Sequence, residues 1–278
     1  MMHVLDEDRN YAPIGVFDSG IGGLTVTREI MRQLPKEKII YFGDTARVPY
    51  GSKSKEIVTK YSRQIIRFLL SKGVKAIVIA CNTASAFSLD QVKDEFDIPM
   101  IGVIKPGARA AEQTSMNGRI GVIGTEGTIG SEIYTETIQR LNKNMTVIGK
   151  PCPLFVPLVE EGWQKDDITA EVARRYLSSF QKSDIDTLIL GCTHYPLLRS
   201  VIGRIMGPNV MLVNPAYETA RELNELFLKH DMLNDERKNL DMPKYQFYVS
   251  DAAEKFKKLA SSILSYEIDE ARLIHIEE

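Results

Sequence analysis

Lys75-Ala76-Ile77-Val78-Ile79-Ala80-Cys81-Asn82-Thr83 is an apolar run that ends in a cysteine and two small polar residues, and roughly 110 residues later Asp186-Thr187-Leu188-Ile189-Leu190-Gly191-Cys192-Thr193 repeats it. Each run is short, continuously apolar and largely β-branched, as a strand buried on both faces should be. A second pair is displaced by a similar amount: Ile14-Gly15-Val16-Phe17-Asp18 is echoed by Ile120-Gly121-Val122-Ile123-Gly124. A spacing close to one small domain indicates that a whole unit has been repeated.

Around the first of these runs, residues 14–17, 39–42, 76–80 and 100–104 read as buried strands. Between them, Leu24, Thr27, Met31 and Leu34 lie at helical spacing, as do Ile57, Tyr61, Ile65 and Leu69, with Gly73 placed as a helix C-cap. Phe87, Val92 and Phe96 mark a third, less regular helix. The pattern then restarts with strands at 120–123, 147–148 and 187–190 and helices on Ile133, Thr137 and Leu141, on Ile168, Val172, Tyr176 and Phe180, and on Leu198, Ile202 and Ile205. This alternation predicts an α/β fold of two similar halves, each a parallel sheet covered by helices on both faces. The segment from Ala216 adds helices at 219–229 and 253–264 and a strand at 246–249, and is expected to return to the first half. The expected domains are therefore 1–104 with about 216–278, and 105–215, the boundary falling near Lys105-Pro106-Gly107.

Composition narrows the class. The chain has 278 residues, 44% apolar and 26% charged, with a formal charge of −2. That is a globular profile, with no reason to expect nucleic acid or an anionic membrane as a partner. Residues 1–11 are polar and acidic, unlike a secretory signal, and the longest apolar runs are far too short to cross a bilayer. Three cysteines make no disulfide framework and favour free thiols in a cytoplasm.

Chemistry concentrates where strands give way to helices, which is where open parallel sheets place their ligands. Asp18-Ser19-Gly20-Ile21-Gly22-Gly23 fails as a dinucleotide fingerprint because Thr25 occupies the third glycine position, and no Gly-Lys-Ser/Thr follows to make a P-loop. Its backbone N–H groups suit a carboxylate-bearing ligand, although the motif alone is equally a tight turn. The loop Gly43-Asp44-Thr45-Ala46-Arg47-Val48-Pro49-Tyr50-Gly51 carries polar groups that suit a ligand, yet by itself reads as a solvated connection. Cys81 and Cys192 weigh more because they recur at equivalent positions, each before small polar residues and an expected helix whose N-terminus lowers a thiol's pKa. If the halves face each other, so do the thiols. His194 stands two residues after Cys192, and Asp18 is its counterpart beside Cys81. Cys152 has no echo and reads as structural; His3, His230 and His275 read as surface or structural residues. Glu160 and Glu161 end the apolar run 154–159. Lys105 follows a strand, but nothing around it suits pyridoxal phosphate.

Taken together, Asp18-Ser19-Gly20-Ile21-Gly22-Gly23-Leu24, Pro49-Tyr50-Gly51, Ala80-Cys81-Asn82-Thr83-Ala84, Val156-Pro157-Leu158-Val159-Glu160 and Gly191-Cys192-Thr193-His194-Tyr195-Pro196 resemble the bacterial glutamate racemases, in that family's order from about Ile14 to Ala220. The resemblance implies an α/β fold of two pseudo-symmetric parallel-sheet αβα halves with the active site in the cleft between them, and no metal or organic cofactor. It implies Cys81 and Cys192 as two acid/base thiols, assisted by Asp18, His194 and Glu160. It implies substrate contacts from Asp18, Ser19, Tyr50, Gly51, Asn82, Thr83, Thr193 and His194, with a further hydroxyl from the Thr125 to Thr128 loop. Cys81 would serve D-glutamate and Cys192 L-glutamate, in a bacterial cytoplasmic enzyme supplying D-glutamate for peptidoglycan; a homodimer is expected. The chain departs from many relatives at Asn214-Pro215, where they carry an acidic residue. The rival readings are an aspartate or hydantoin racemase on the same plan, a redox or metal protein built on Cys81, Cys192 and His194, for which Cys-x-x-Cys spacing is missing, and a non-catalytic ligand sensor.

Overall fold

Strand β1 (Ile14–Asp18) is buried along its whole length and leads through the glycine-rich loop into helix α1 (Leu24–Gln33). The structure, a computed structural model, describes residues 9–234 and 244–276. His3 and the rest of residues 1–8, like 235–243 and 277–278, lie outside the described residues.

Beyond α1 come β2 (Ile39–Gly43), α2 (Lys55–Ser71), β3 (Ala76–Ile79), α3 (Asn82–Val92) and β4 (Met100–Gly102). Ser54 caps α2 by accepting from the Ile57 N–H, and Gly73, at φ 71°, turns the chain out of it in the left-handed conformation that glycine adopts without strain. Ile104 does not end β4; it opens a helix, α4 (Ile104–Thr114). Pro106 falls in the first turn of that helix, where its missing N–H has no partner to lose. Lys105-Pro106-Gly107 is therefore helical rather than a break, and Lys105 is exposed to solvent.

The second series runs β5 (Arg119–Gly124), α5 (Glu126–Gly130), α6 (Ile133–Leu141), β6 (Thr146–Pro151), α7 (Phe155–Glu160), α8 (Asp167–Leu177), β7 (Thr187–Gly191), α9 (Arg199–Met206) and β8 (Met211–Val213). The chain then continues through α10 (Pro215–Lys229), β9 (Tyr245–Val249), α11 (Ala253–Leu264) and β10 (Ala271–Leu273).

Among the described residues every strand pairing is parallel. One sheet has the order β10-β9-β2-β1-β3-β4 and the other β6-β5-β7-β8. Removing β9 and β10 leaves 2-1-3-4 in one and 6-5-7-8 in the other, the same winding twice. In each sheet the direction of winding reverses between the first and third strands of its series, which opens a crevice above their C-terminal ends. Helices cover both faces. Val16 and Val78 pack toward α1, α10 and α11, while Phe17 and Ile79 pack toward α2 and α3. Around the second sheet, Leu188 and Leu190 face α7, α8 and α9, and Val122 and Ile189 face α4 and α6. Among the described residues no helix is long and apolar enough to cross a membrane.

Candidate active site

The loops after β1 and β3 meet those after β5 and β7 around a cavity of about 390 Å³. Ser19, Tyr50, Gly51, Cys81, Asn82 and Thr83 line it from the first series, and Thr125, Glu160, Cys192, Thr193 and His194 from the second. Eleven of the twelve residues singled out from the sequence thus share one cavity. The twelfth, Asp18, is fully buried beneath its wall.

Asp18 explains the glycine-rich loop. Its carboxylate accepts from the Gly20 N–H at 3.0 Å, and the N–H groups of Gly23 and Ser19 act in the same sense. The anion at this helix N-terminus is thus the protein's own side chain. The glycines serve close approach: a Cβ on Gly23 would lie 2.4 Å from Asp18 Cβ, and one on Gly22 would lie 2.3 Å from Thr193 Oγ1 and 2.5 Å from His194 Nδ1. Burial raises the Asp18 carboxyl above the ordinary carboxylate range, opposed by the charge of His194 and those N–H donors.

Cys81 is the N-cap of α3, and its Sγ accepts from the Ala84 N–H at 3.4 Å and lies 3.8 Å from Ser19 Oγ. The helix therefore does favour the thiolate, as its position predicts, but burial and the nearby Asp18 outweigh it and push the thiol up to about 12. Cys192 differs: it is followed by Thr193 and His194 and then a 3-10 turn, Tyr195–Leu198, so the expected helix begins only at Arg199. Its neighbour is His194, whose Nδ1 is 3.9 Å from Cys192 Sγ and whose Nε2 is 3.1 Å from Glu160 Oε1. Burial pulls the imidazole down, but its hydrogen bonds to Cys192 and Glu160, with their charges, lift it to about 10. The same bond to His194 holds the Glu160 carboxyl below its usual range.

Hydroxyls stitch the halves together at the cavity floor. Thr25 Oγ1 donates to the Thr193 carbonyl at 2.9 Å, Thr83 and Thr125 hydroxyls meet at 2.9 Å, and Thr193 Oγ1 donates to Asp18 Oδ1 at 3.5 Å. Thr25 stands where a dinucleotide fingerprint would have glycine, and here it holds the strand-end segment that carries Cys192. Tyr50 is fully buried, its phenol donating to Asp44, which also receives Arg47 and Ser250. Tyr41 belongs to no motif: from the middle of β2 its phenol donates to the Gly20 carbonyl at 2.7 Å and supports the loop above Asp18. A tyrosine inside a run of buried apolar residues is the available signal, since its hydroxyl must find a partner. Val48, Pro153, Val156 and Pro157 give the mouth an apolar rim. Cys152 is buried and does not itself line the cavity, its thiol pushed up to about 12 by burial. Among the described residues no group of three or more His, Cys, Asp or Glu side chains is arranged to hold a metal ion.

Two thiols at equivalent strand ends, each beside a different acid/base partner and sharing one cavity, are equipped to remove a proton from one face of a small molecule and return it to the other. The model of the Asp/Glu/hydantoin racemase family matches residues 14–223. A glutamate racemase of Geobacter metallireducens is 47% identical over 264 residues, covering 95% of this chain and 97% of the relative. The crystal structure of a glutamate racemase from Bacillus anthracis superposes with a TM-score of 0.91 at 42% identity, covering 96% of this chain and 98% of that one. That from Francisella tularensis, in complex with D-glutamate, gives 0.89 at 41% identity over 96% and 99%. The chain is an isomerase that belongs to the Asp/Glu/hydantoin racemase family, among its glutamate racemases.

Proposed function

We propose that the chain interconverts L- and D-glutamate by two-base proton transfer at Cα, with Cys81 and Cys192 as the two bases and neither metal nor organic cofactor. The observation that carries this reading is the pair of buried thiols lining one cavity from equivalent strand ends. A thiolate on one face takes the proton while a thiol on the other donates one, so the carbon inverts without the substrate turning over. Cys81 serves D-glutamate and Cys192 L-glutamate. A free thiol is only a few per cent ionised near neutral pH, so each side needs help. His194, held by Glu160, supplies positive charge beside Cys192. On the other side the ammonium of a bound amino acid, arriving next to Cys81, favours its thiolate against the burial that raises it. Ser19, Asn82, Thr83, Thr125 and Thr193 give donors for the substrate's carboxylates, and Tyr50 with Gly51 closes one wall.

The chain divides into a domain of residues 1–104 with about 216–278 and a domain of residues 105–215, with the substrate held between them. The product feeds peptidoglycan synthesis in a bacterial cytoplasm, and the working form is a homodimer with no role for nucleic acid. The deciding experiment is D-glutamate formation from L-glutamate by purified protein after exhaustive dialysis against chelator, with L-aspartate run beside it. Turnover of glutamate alone, with no absorbance from a Schiff base, is the expected result. Activity that vanishes on dialysis and returns with pyridoxal phosphate, or that prefers aspartate, would overturn it.

A further inference from the structure

Tyr134 lies on α6, in the second series, is 3% exposed and does not line the main cavity. Its phenol nevertheless crosses to the first series and donates to Asn82 Oδ1 at 2.7 Å, where Asn82 is the first residue of α3, directly after Cys81. Its ring lies against the other thiol's strand: a Cβ on Gly191, the residue before Cys192, would sit 3.3 Å from Tyr134 Cε2. Its hydroxyl also lies close over Gly107 of α4, at 3.5 Å from where a Cβ would stand.

The side chain of Asn82 has an acceptor end and a donor end, and only the donor end suits an anionic ligand. With Oδ1 taken by the phenol, the N–H2 end, which has no hydrogen-bond partner among the described residues, is the one left to the cavity that Asn82 lines. We propose that Tyr134 is a positioning residue for racemisation, its phenol locking the Asn82 amide with the N–H2 turned toward a substrate carboxylate. The phenol suits this task because burial and the nearby Cys192 raise it far above its ordinary value, so it stays a donor throughout the working pH range. Without it the amide is free to rotate, and half of its orientations present an oxygen to an anion.

The inference rests on the reading of Asn82 as a carboxylate donor, and its test separates the two. Tyr134→Phe keeps the ring against Gly191 and removes only the hydroxyl. In this variant KM for glutamate should rise about tenfold in both directions with kcat within a few-fold, the pattern of a lost ground-state contact. Asn82→Ala should raise KM at least as much, and Tyr134→Phe added to it should change nothing further, since the phenol acts only through the amide. Unchanged KM in Tyr134→Phe, or effects of the two substitutions that add in full, would overturn the proposal, as would a fall in the fraction of active sites at unchanged KM. A wild-type protein that does not turn over glutamate would instead overturn the reading on which it rests.

Discussion

Cys81 caps an eleven-residue helix and keeps company with Ser19 and the buried acid Asp18, whereas Cys192 precedes a 3-10 turn and faces an imidazole backed by a carboxylate. The strand frame beneath them is the same, 2-1-3-4 against 6-5-7-8. Duplication thus supplied two equivalent places for a thiol, and the loops then gave each place different electrostatics. On the first side burial and an acid keep the proton on sulfur; on the second, a cation stands ready. The two sides are also joined, because His194 is the main charge opposing the burial of Asp18 and Thr193 bonds its carboxylate. Shared geometry therefore does not require shared chemistry.

Removing each thiol in turn puts that asymmetry under the greatest load. Cys81→Ala and Cys192→Ala should each lower racemisation by about 10³-fold or more, with the double variant hardly worse, because the pair acts as a unit. An amino acid with a leaving group on the β-carbon needs only proton abstraction. Cys192→Ala should therefore still eliminate from the D form and Cys81→Ala from the L form. Retention of the same enantiomer by both variants would end the opposed-thiol mechanism.

A second test separates the assistants. His194→Gln should cost about 10²-fold in elimination from the L form and much less from the D form, whereas Asp18→Asn should change elimination from the D form more than from the L form. Equal damage to both enantiomers in both variants would show that the sides are not distinct.

Stability against pH distinguishes the sides in a different way. The folded His194 stays protonated to about 10 against 6.5 for the free side chain, so the stability it contributes is complete below pH 6.5 and lost as pH rises toward 10. Glu160 is depressed, so its share is present above pH 4.5 and lost as pH falls below that. Thermal melts should show the wild-type midpoint falling from pH 6.5 to pH 9 more steeply than that of His194→Gln. Parallel slopes would contradict the assignment. The smallest effect belongs to Cys152, which lies on neither side of the cavity: Cys152→Ser should leave turnover within a few-fold while costing about 1 kcal/mol of stability. A loss of three orders of magnitude in rate would place it in the site after all.

The strands are readable in the sequence because both their faces are buried, so apolar residues run without interruption; β1, β2, β3, β5 and β7 all fall where such runs stand. The repeat is readable for the same reason. Other elements have no such signature. α4 is hidden by Pro106 and Gly107, which look like a break until the proline is found in the first turn. α5 is short and glycine-rich, and β10 is an edge strand with two exposed residues. In the site, the residues that meet the cavity are legible from motifs at strand ends. Those that hold them are not: Tyr41, Tyr134 and Thr25 act through bonds to Gly20, Asn82 and Thr193 that only the folded chain brings together. The thiol of Cys81 sits higher than its place in the sequence suggests, because position at a helix N-terminus is visible there and depth of burial is not.

The unequal surroundings of the two thiols carry a thermodynamic consequence. Mirror-image forms of one amino acid have the same free energy in water, so the equilibrium constant between them is unity. Detailed balance then makes kcat/KM identical in the two directions for any protein that catalyses the exchange. Asp18 and Ser19 on one side, and His194 and Glu160 on the other, therefore have no power to bias the product mixture. They only decide how the common ratio is divided between turnover and saturation for each hand. A substitution on one side must lower both ratios equally, however lopsided its effect on kcat or KM alone, and net flow toward either hand is set by whatever consumes the product.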